Sequence, residues 1–330
     1  MKKHLFALLV ILFSLTTSKA QLIFANKKDL PSFNFKDGKT TVLLTNDEEV
    51  NAAFKASIKE NWKINDVEFM TYDELLAGKK LEKYFLCIIK RSLEYQNSSG
   101  ANYCYLSFGK SDQSLIDDMI KRYNKQKDKK YPLDIFTLGA RIVGSTIDMS
   151  SISTVNNGSS LYDPKPMFIN KQEFVTMLPI HILNVNWLLS NDIKVFYPEN
   201  DNGIKNNTCF ASFNAHSCDL KKMTLLVLEE HTVAKHKLDP FSKGFDLAEF
   251  KKYYSGEVKI VSDEEFNKLL KSENKEKYCI LTQGVYEHVG YTMTYRLDGK
   301  PMFGFYIMAG PYGYSPSIYK GFQKYLCNKR

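Results

Sequence analysis

The feature that most constrains the fold of this 330-residue chain is that one pattern of strands and helices is written twice. The first copy runs from Thr41 to about Gly109 and the second from Thr224 to about Gly310. Each opens on an apolar strand, Thr41-Val-Leu-Leu-Thr and Thr224-Leu-Leu-Val-Leu. Each continues with an amphipathic helix in which two aromatic residues stand eight apart, Phe54 and Trp62 in one, Phe245 and Tyr253 in the other. Val67-Glu-Phe-Met then matches Val258-Lys-Ile-Val as a second short strand. Thr71 and Ser262 follow as helix caps, each with a Glu three residues on (Glu74, Glu265), the spacing of a capping box. Tyr84-Phe-Leu-Cys-Ile-Ile and Tyr278-Cys-Ile-Leu give a third strand. A fourth pairs back on it as a hairpin, Tyr103 to Phe108 in copy one and Met302 to Met308 in copy two, with Asp298-Gly299 marking a tight turn in the second.

The expected fold is therefore α/β (α+β): two similar mixed-sheet β-α-β-α-β-β units joined by a helical segment. Unit boundaries fall at 21–130 and 221–330, with a helical and loop connector over 131–220. Copy two carries an insertion at Lys235 to Gly244, of the kind surface loops tolerate. Ser111 to Tyr123 predicts a helix closing the first unit, with Leu115, Met119 and Ile120 on one face, and Pro132 to Val143 predicts another. Gly144 to Pro166, rich in Ser, Thr, Asn and Gly, reads as a loop. Lys171 to Ser190 is apolar around most of its circumference, which predicts a helix buried between the units, kinked or split at Pro179.

Residues 1–20 read as a signal peptide. Lys2 and Lys3 form a positive start, Leu5 to Leu15 an apolar stretch too short to span a bilayer, and Ser18-Lys19-Ala20 a small-residue cleavage site, giving a mature chain from Gln21. No Cys follows the site to take a lipid, and no later apolar run predicts a transmembrane segment in the mature chain. Cleavage removes three lysines, so the +8 of the whole chain becomes a mild +5. One dense basic patch remains, Lys121 to Lys130, in which Lys121, Arg122, Lys125 and Lys127 are the candidate contacts to an anionic surface, a peripheral contact with the outer membrane. An exported chain without a stripe of interleaved basic and aromatic residues has no case for nucleic acid.

All six Cys lie in the mature chain and meet an oxidising compartment. A tight hairpin around Asn214 predicts a disulfide between Cys209 and Cys218; most of the other Cys stand in apolar strands, where a buried thiol fits equally well. There is no C-x-x-C to suggest a zinc ribbon or redox site.

Catalytic signatures are missing. Glu229-Glu230-His231 with His236 has a metal-site flavour, but two His five apart point about 140° from each other on a helix and do not make H-E-x-x-H. An exposed strand end and loop is the better reading, and no metal or cofactor is expected. His181, inside the apolar helix, reads as a hydrogen-bonded core residue. His216-Ser217-Cys218 sets reactive types side by side, yet sequence neighbours point in different directions. No G-x-S-x-G elbow, P-loop or G-x-G-x-x-G is present, and the paired carboxylates (Asp117-Asp118, Glu264-Glu265) suit caps and helix faces. The best surface candidate is the loop Gly310 to Tyr319, where Tyr312, Tyr314 and Tyr319 could present rings to a glycan or protein.

One stretch, Phe54 to Ile89, resembles a pattern in exported α/β-repeat proteins of Bacteroidetes-type bacteria that have no assigned activity. Trp62 ending a helix, Phe69 in the following strand, Glu74 in the acidic cap and Tyr84-Phe85 opening the next strand carry the likeness; copy two keeps the cap but has Tyr253 in place of the Trp. The resemblance implies a cell-envelope α/β protein and supplies no catalytic residues. The expectation is an exported protein of the periplasm or surface of a Gram-negative bacterium, binding or assembling with an envelope protein or glycan. The alternative is a secreted hydrolase with a site between the units, which a pocket joining His216 or His231 to a carboxylate would favour.

Overall fold

A computed structural model describes residues 37–45, 47–92, 102–125, 146–155, 171–190, 214, 217–233, 244–286, 289–307, 314 and 316–327. The first sheet takes β1 (Thr40–Leu44), β2 (Val67–Thr71), β3 (Tyr84–Ser92), β4 (Asn102–Lys110) and β5 (Thr146–Val155) in the order β2-β1-β3-β4-β5. Helices α1 (Glu48–Asn61), α2 (Tyr72–Leu76) and α3 (Gln113–Lys125) belong to it. The long helix α4 (Lys171–Ser190) follows. The second sheet takes β6 (Thr224–Leu228), β7 (Glu257–Val261), β8 (Tyr278–Tyr286), β9 (Val289–Arg296) and β10 (Pro301–Ile307) in the order β10-β9-β8-β6-β7, with α5 (Leu247–Phe250), α6 (Asp263–Leu270) and α7 (Pro316–Tyr325).

Written from the same edge, the two sheets have one strand order and one set of directions. The opening strand lies between two parallel partners, and the last three strands alternate antiparallel. Tyr84 pairs with Thr40 and Tyr278 with Thr224, so the tyrosines that open the third strands hold equivalent places.

Two differences from the sequence expectation stand out. Each sheet has a fifth strand. In the first it is β5, taken from the Ser/Thr-rich segment expected to be a loop within the connector. The β-branched Thr and Ile residues of β5 suit a strand whatever their polarity. In the second sheet, β9 stands where β4 stands in the first, so 302–308 is not the counterpart of Tyr103 to Phe108. The Asp298-Gly299 turn exists, joining β9 to β10. The matched aromatic spacing also fails to superpose. Phe54 lies within α1, whereas Phe245 precedes Asp246, the cap of the much shorter α5.

The caps form as their residue types dictate. Asp47 accepts from the backbone N–H of Glu49 and Val50 at the start of α1. Thr71 and Glu74 complete a reciprocal capping box on α2. Ser262 caps α6 through the Glu265 N–H, while the Glu265 carboxylate pairs with Lys259.

Both sheets are covered on two faces. Alternate residues of β6 divide between two cores, Leu226 and Leu228 into one, Leu225 and Val227 into the other. The second core lies under α5 and α7 and is built on rings: Phe250 and Phe322 meet edge to face at 4.9 Å. The first core holds residues of both units around α4, whose Phe174, Met177, Leu178, Ile180, Ile182 and Val185 are all buried in it. α4 is one continuous helix through Pro179 rather than two pieces. Two asparagines fix it in place. Asn186 accepts from the Lys63 N–H at 3.0 Å and donates to the Asn61 carbonyl at 2.6 Å, closing the end of α1. Asn184 donates to the Gly299 carbonyl at 2.6 Å, in the second unit. No helix among the described residues is long and apolar enough to cross a membrane.

The disulfide differs from expectation. Cys218 bonds Cys327, not Cys209, because residues 217–222 form a 3-10 turn set beside the end of α7 rather than a hairpin strand. The two Cα atoms lie 4.6 Å apart, and the Ser217 hydroxyl accepts from the Cys327 N–H. Cys87 and Cys279 are buried in β3 and β8, and burial pushes the Cys279 thiol up to about 12. Residues 1–36, the expected helix at 132–143, Cys209 and the insertion at 235–243 lie outside the described residues.

Candidate functional site

In each sheet the chain leaves the opening strand to one side and returns to its other side, so the carboxyl ends of β1 and β6 are topological switch points, where open α/β sheets bind ligands. The first turn of α4 reaches both. Lys171 extends to the end of β1, with Nζ 2.7 Å from Glu49 and 3.3 Å from Asp47. Those carboxylates, Glu49 foremost, raise its affinity for a proton and keep it charged. Gln172 donates to Asp263 of α6 at 3.0 Å. Glu173 turns to the end of β6.

There β6 ends at Leu228 and the chain enters a 3-10 turn, Glu229–Thr232. That turn carries His231 inward: it is 2% exposed, and its backbone carbonyl accepts from the Phe245 N–H. Nε2 of His231 lies 2.7 Å from Oε1 of Glu173, itself 1% exposed, and Nδ1 lies 2.9 Å from the Tyr314 hydroxyl. Burial, reinforced by the charges of Glu173, Tyr319 and Glu230, holds the Tyr314 phenol protonated far above its ordinary range. With the phenol as donor, a neutral ring accepts at Nδ1 and donates from Nε2 to Glu173. The partly exposed Glu230 completes the group: one ligand atom each from Glu173, Glu230 and His231 fall within 4.8 Å of one another. His181, deeper along α4, has its pKa lowered to about 4 by burial, opposed by the charge of Glu173.

Carboxylate, imidazole and phenol in a chain can hold a proton or a cation, and can pass a proton along one line. No known protein family, curated protein or solved structure matches the chain.

The expected site residues divide as follows. Tyr314 and Tyr319 are core residues, 4% and 2% exposed, rather than rings on a binding surface; the Tyr319 hydroxyl accepts from the Asp246 N–H at 2.8 Å. Tyr312 lies outside the described residues, as do Lys127, His216, His236 and His288. Lys121 and Lys125 are exposed on α3, which also carries Arg122. His231 is buried against a carboxylate, not in the exposed loop expected of it. Glu173 drew no notice in the sequence because 58 residues separate it from His231; a lone acid in the first turn of an otherwise apolar helix was its only signal.

Proposed function

We propose that this chain is an exported cell-envelope protein of a Gram-negative bacterium that acts by binding or assembly, built from two copies of one α/β unit. The observation that carries this reading is burial. Glu173, His231 and Tyr314, an acid–base constellation of the kind a hydrolase uses, are 1%, 2% and 4% exposed. A catalytic base must come within hydrogen-bond reach of its substrate, which a sealed imidazole does not. The leader-like residues 1–20 support export, and the Cys218–Cys327 bond fits an oxidising compartment. The common strand order of the two sheets supports duplication, and the resemblance over Phe54 to Ile89 points to the same class of envelope protein. Exposed Lys121 and Lys125 offer a contact to anionic lipid or glycan.

The test is fractionation of the native cells, with N-terminal sequencing of the protein and mass spectrometry of what cross-links to it. A chain beginning at Gln21, in the envelope or medium and in stoichiometric complex, supports the reading; an uncleaved cytoplasmic chain sinks it. The contact of His231 with Glu173 favours the hydrolase alternative. Hydrolysis of an envelope ester or glycan that disappears in a folded His231→Gln variant would establish it instead.

A further inference from the structure

The end of β6 gathers a different set of groups from the end of β1. At β1, Asp47 and Glu49 share the ammonium of Lys171, supplied by the chain. At β6, two carboxylates and an imidazole converge within 4.8 Å, with Glu173 and His231 almost wholly out of water. Converging carboxylate oxygens beside an imidazole nitrogen make a favourable place for a cation, whose charge offsets their mutual repulsion. A proton on His231 supplies one unit; a divalent cation supplies two and takes a ligand atom from all three residues.

We infer that Glu173, Glu230 and His231 form a site for one divalent first-row cation of the zinc type, at the switch point of the second sheet. The donor set, two carboxylate oxygens and one imidazole nitrogen, is of the kind zinc accepts. Metal bonds of about 2.0–2.2 Å place neighbouring ligand atoms about 3.3–3.5 Å apart in a tetrahedron. The 2.7 Å between His231 and Glu173 therefore has to open by about 0.6–0.8 Å on binding. The three ligand atoms, which fall within 4.8 Å of one another, adjust to that spacing around the ion. Tyr314 stands at Nδ1, the position from which an outer hydrogen bond fixes ring orientation and tautomer in metal-bound histidines. When Nε2 takes the metal, Nδ1 carries the proton and the phenol accepts. Glu230 is the least buried of the three. Farther along α4, the buried His181 ring sits in the field of Glu173, and among the described residues its Nδ1 meets no hydrogen-bond partner. Positive charge placed on Glu173 would lower that imidazole's proton affinity further.

The test uses untagged protein purified from its native cells, stripped with chelator, moved to chelator-free buffer and titrated with ZnCl2 by calorimetry. One Zn2+ per chain is expected, with Mg2+ failing to compete. Co2+ should give the absorption of a sulfur-free four-coordinate centre. Glu230→Gln, at the least buried ligand, should weaken zinc at least tenfold, with circular dichroism of the metal-free variant checking that it folds. The ring nitrogen resonances of His231 in the unsubstituted protein report ligation at Nε2 directly and need no variant to fold. Absence of saturable 1:1 binding overturns the site, as does an unshifted His231 ring on zinc addition or a Glu230→Gln affinity within twofold of the parent. The titration is indifferent to where the protein resides, so it stands or falls separately from export.

Discussion

Replacing Tyr314 by Phe removes one hydroxyl and leaves His231 Nδ1 buried without its 2.9 Å partner. An orphaned buried polar atom costs about 1–3 kcal/mol, and urea denaturation should show a loss of that size with little change in slope. His181 gives the chain a pH dependence whose sign follows from burial. Its folded pKa of about 4 lies below the ordinary 6.5, so between these values the unfolded chain holds more protons. Stability should be full above about pH 6.5 and fall toward pH 4, by at most ~1.4 kcal/mol per pH unit from this one group. His181→Gln should flatten that limb; an unchanged slope would place the titration elsewhere. At this scale the sequence was a poor guide. Tyr314 and Tyr319 sit among Pro and Gly in a segment that reads as surface, yet partners 83 and 73 residues away draw their hydroxyls inward. Such pairings leave no trace in spacing, because they depend on which elements the sheet brings together.

Elements were far more legible, since their signals are local. The caps at Thr71 and Ser262, the strands opening at Tyr84 and Tyr278, and the turn at Asp298-Gly299 all form where residue type and periodicity place them. β5 was not legible, because Ser and Thr serve loops and strands alike and only pairing with β4 decides between them. The β9–β10 turn also docks α4. Gly299 has φ of +92°, and a Cβ there would run into the backbone of Leu183. Gly299→Ala should therefore destabilise by at least ~2 kcal/mol, combining left-handed strain with the clash. Thermal melting would show it, and Asn184 should lose protection from the Gly299 carbonyl in the same variant.

The whole molecule is held by α4 from within and by Cys218–Cys327 at one end. The helix was legible as buried because its apolar residues go all the way round; that Asn184 and Asn186 bind opposite units was not, since two asparagines two apart look alike in sequence. The disulfide spans 109 residues, and a loop of roughly 100 is worth about 4.7 kcal/mol in the chain-entropy account. Cys218→Ser with Cys327→Ser should lower unfolding free energy by up to that amount, and a reductant should have the same effect on the parent protein. An unaltered melting curve would mean that α7 is already secured by Phe322 and Tyr319 in the ring-lined core.

That bond also sets where a mechanical load travels. Cys218 precedes β6 and Cys327 ends the turn after α7, so the entire second sheet lies within the covalent ring they close. A pull applied beyond residue 327 passes through the two sulfurs to the chain ahead of β6, and the strands between are bypassed. For a protein tethered at its C-terminal end, the second unit would remain folded under that load.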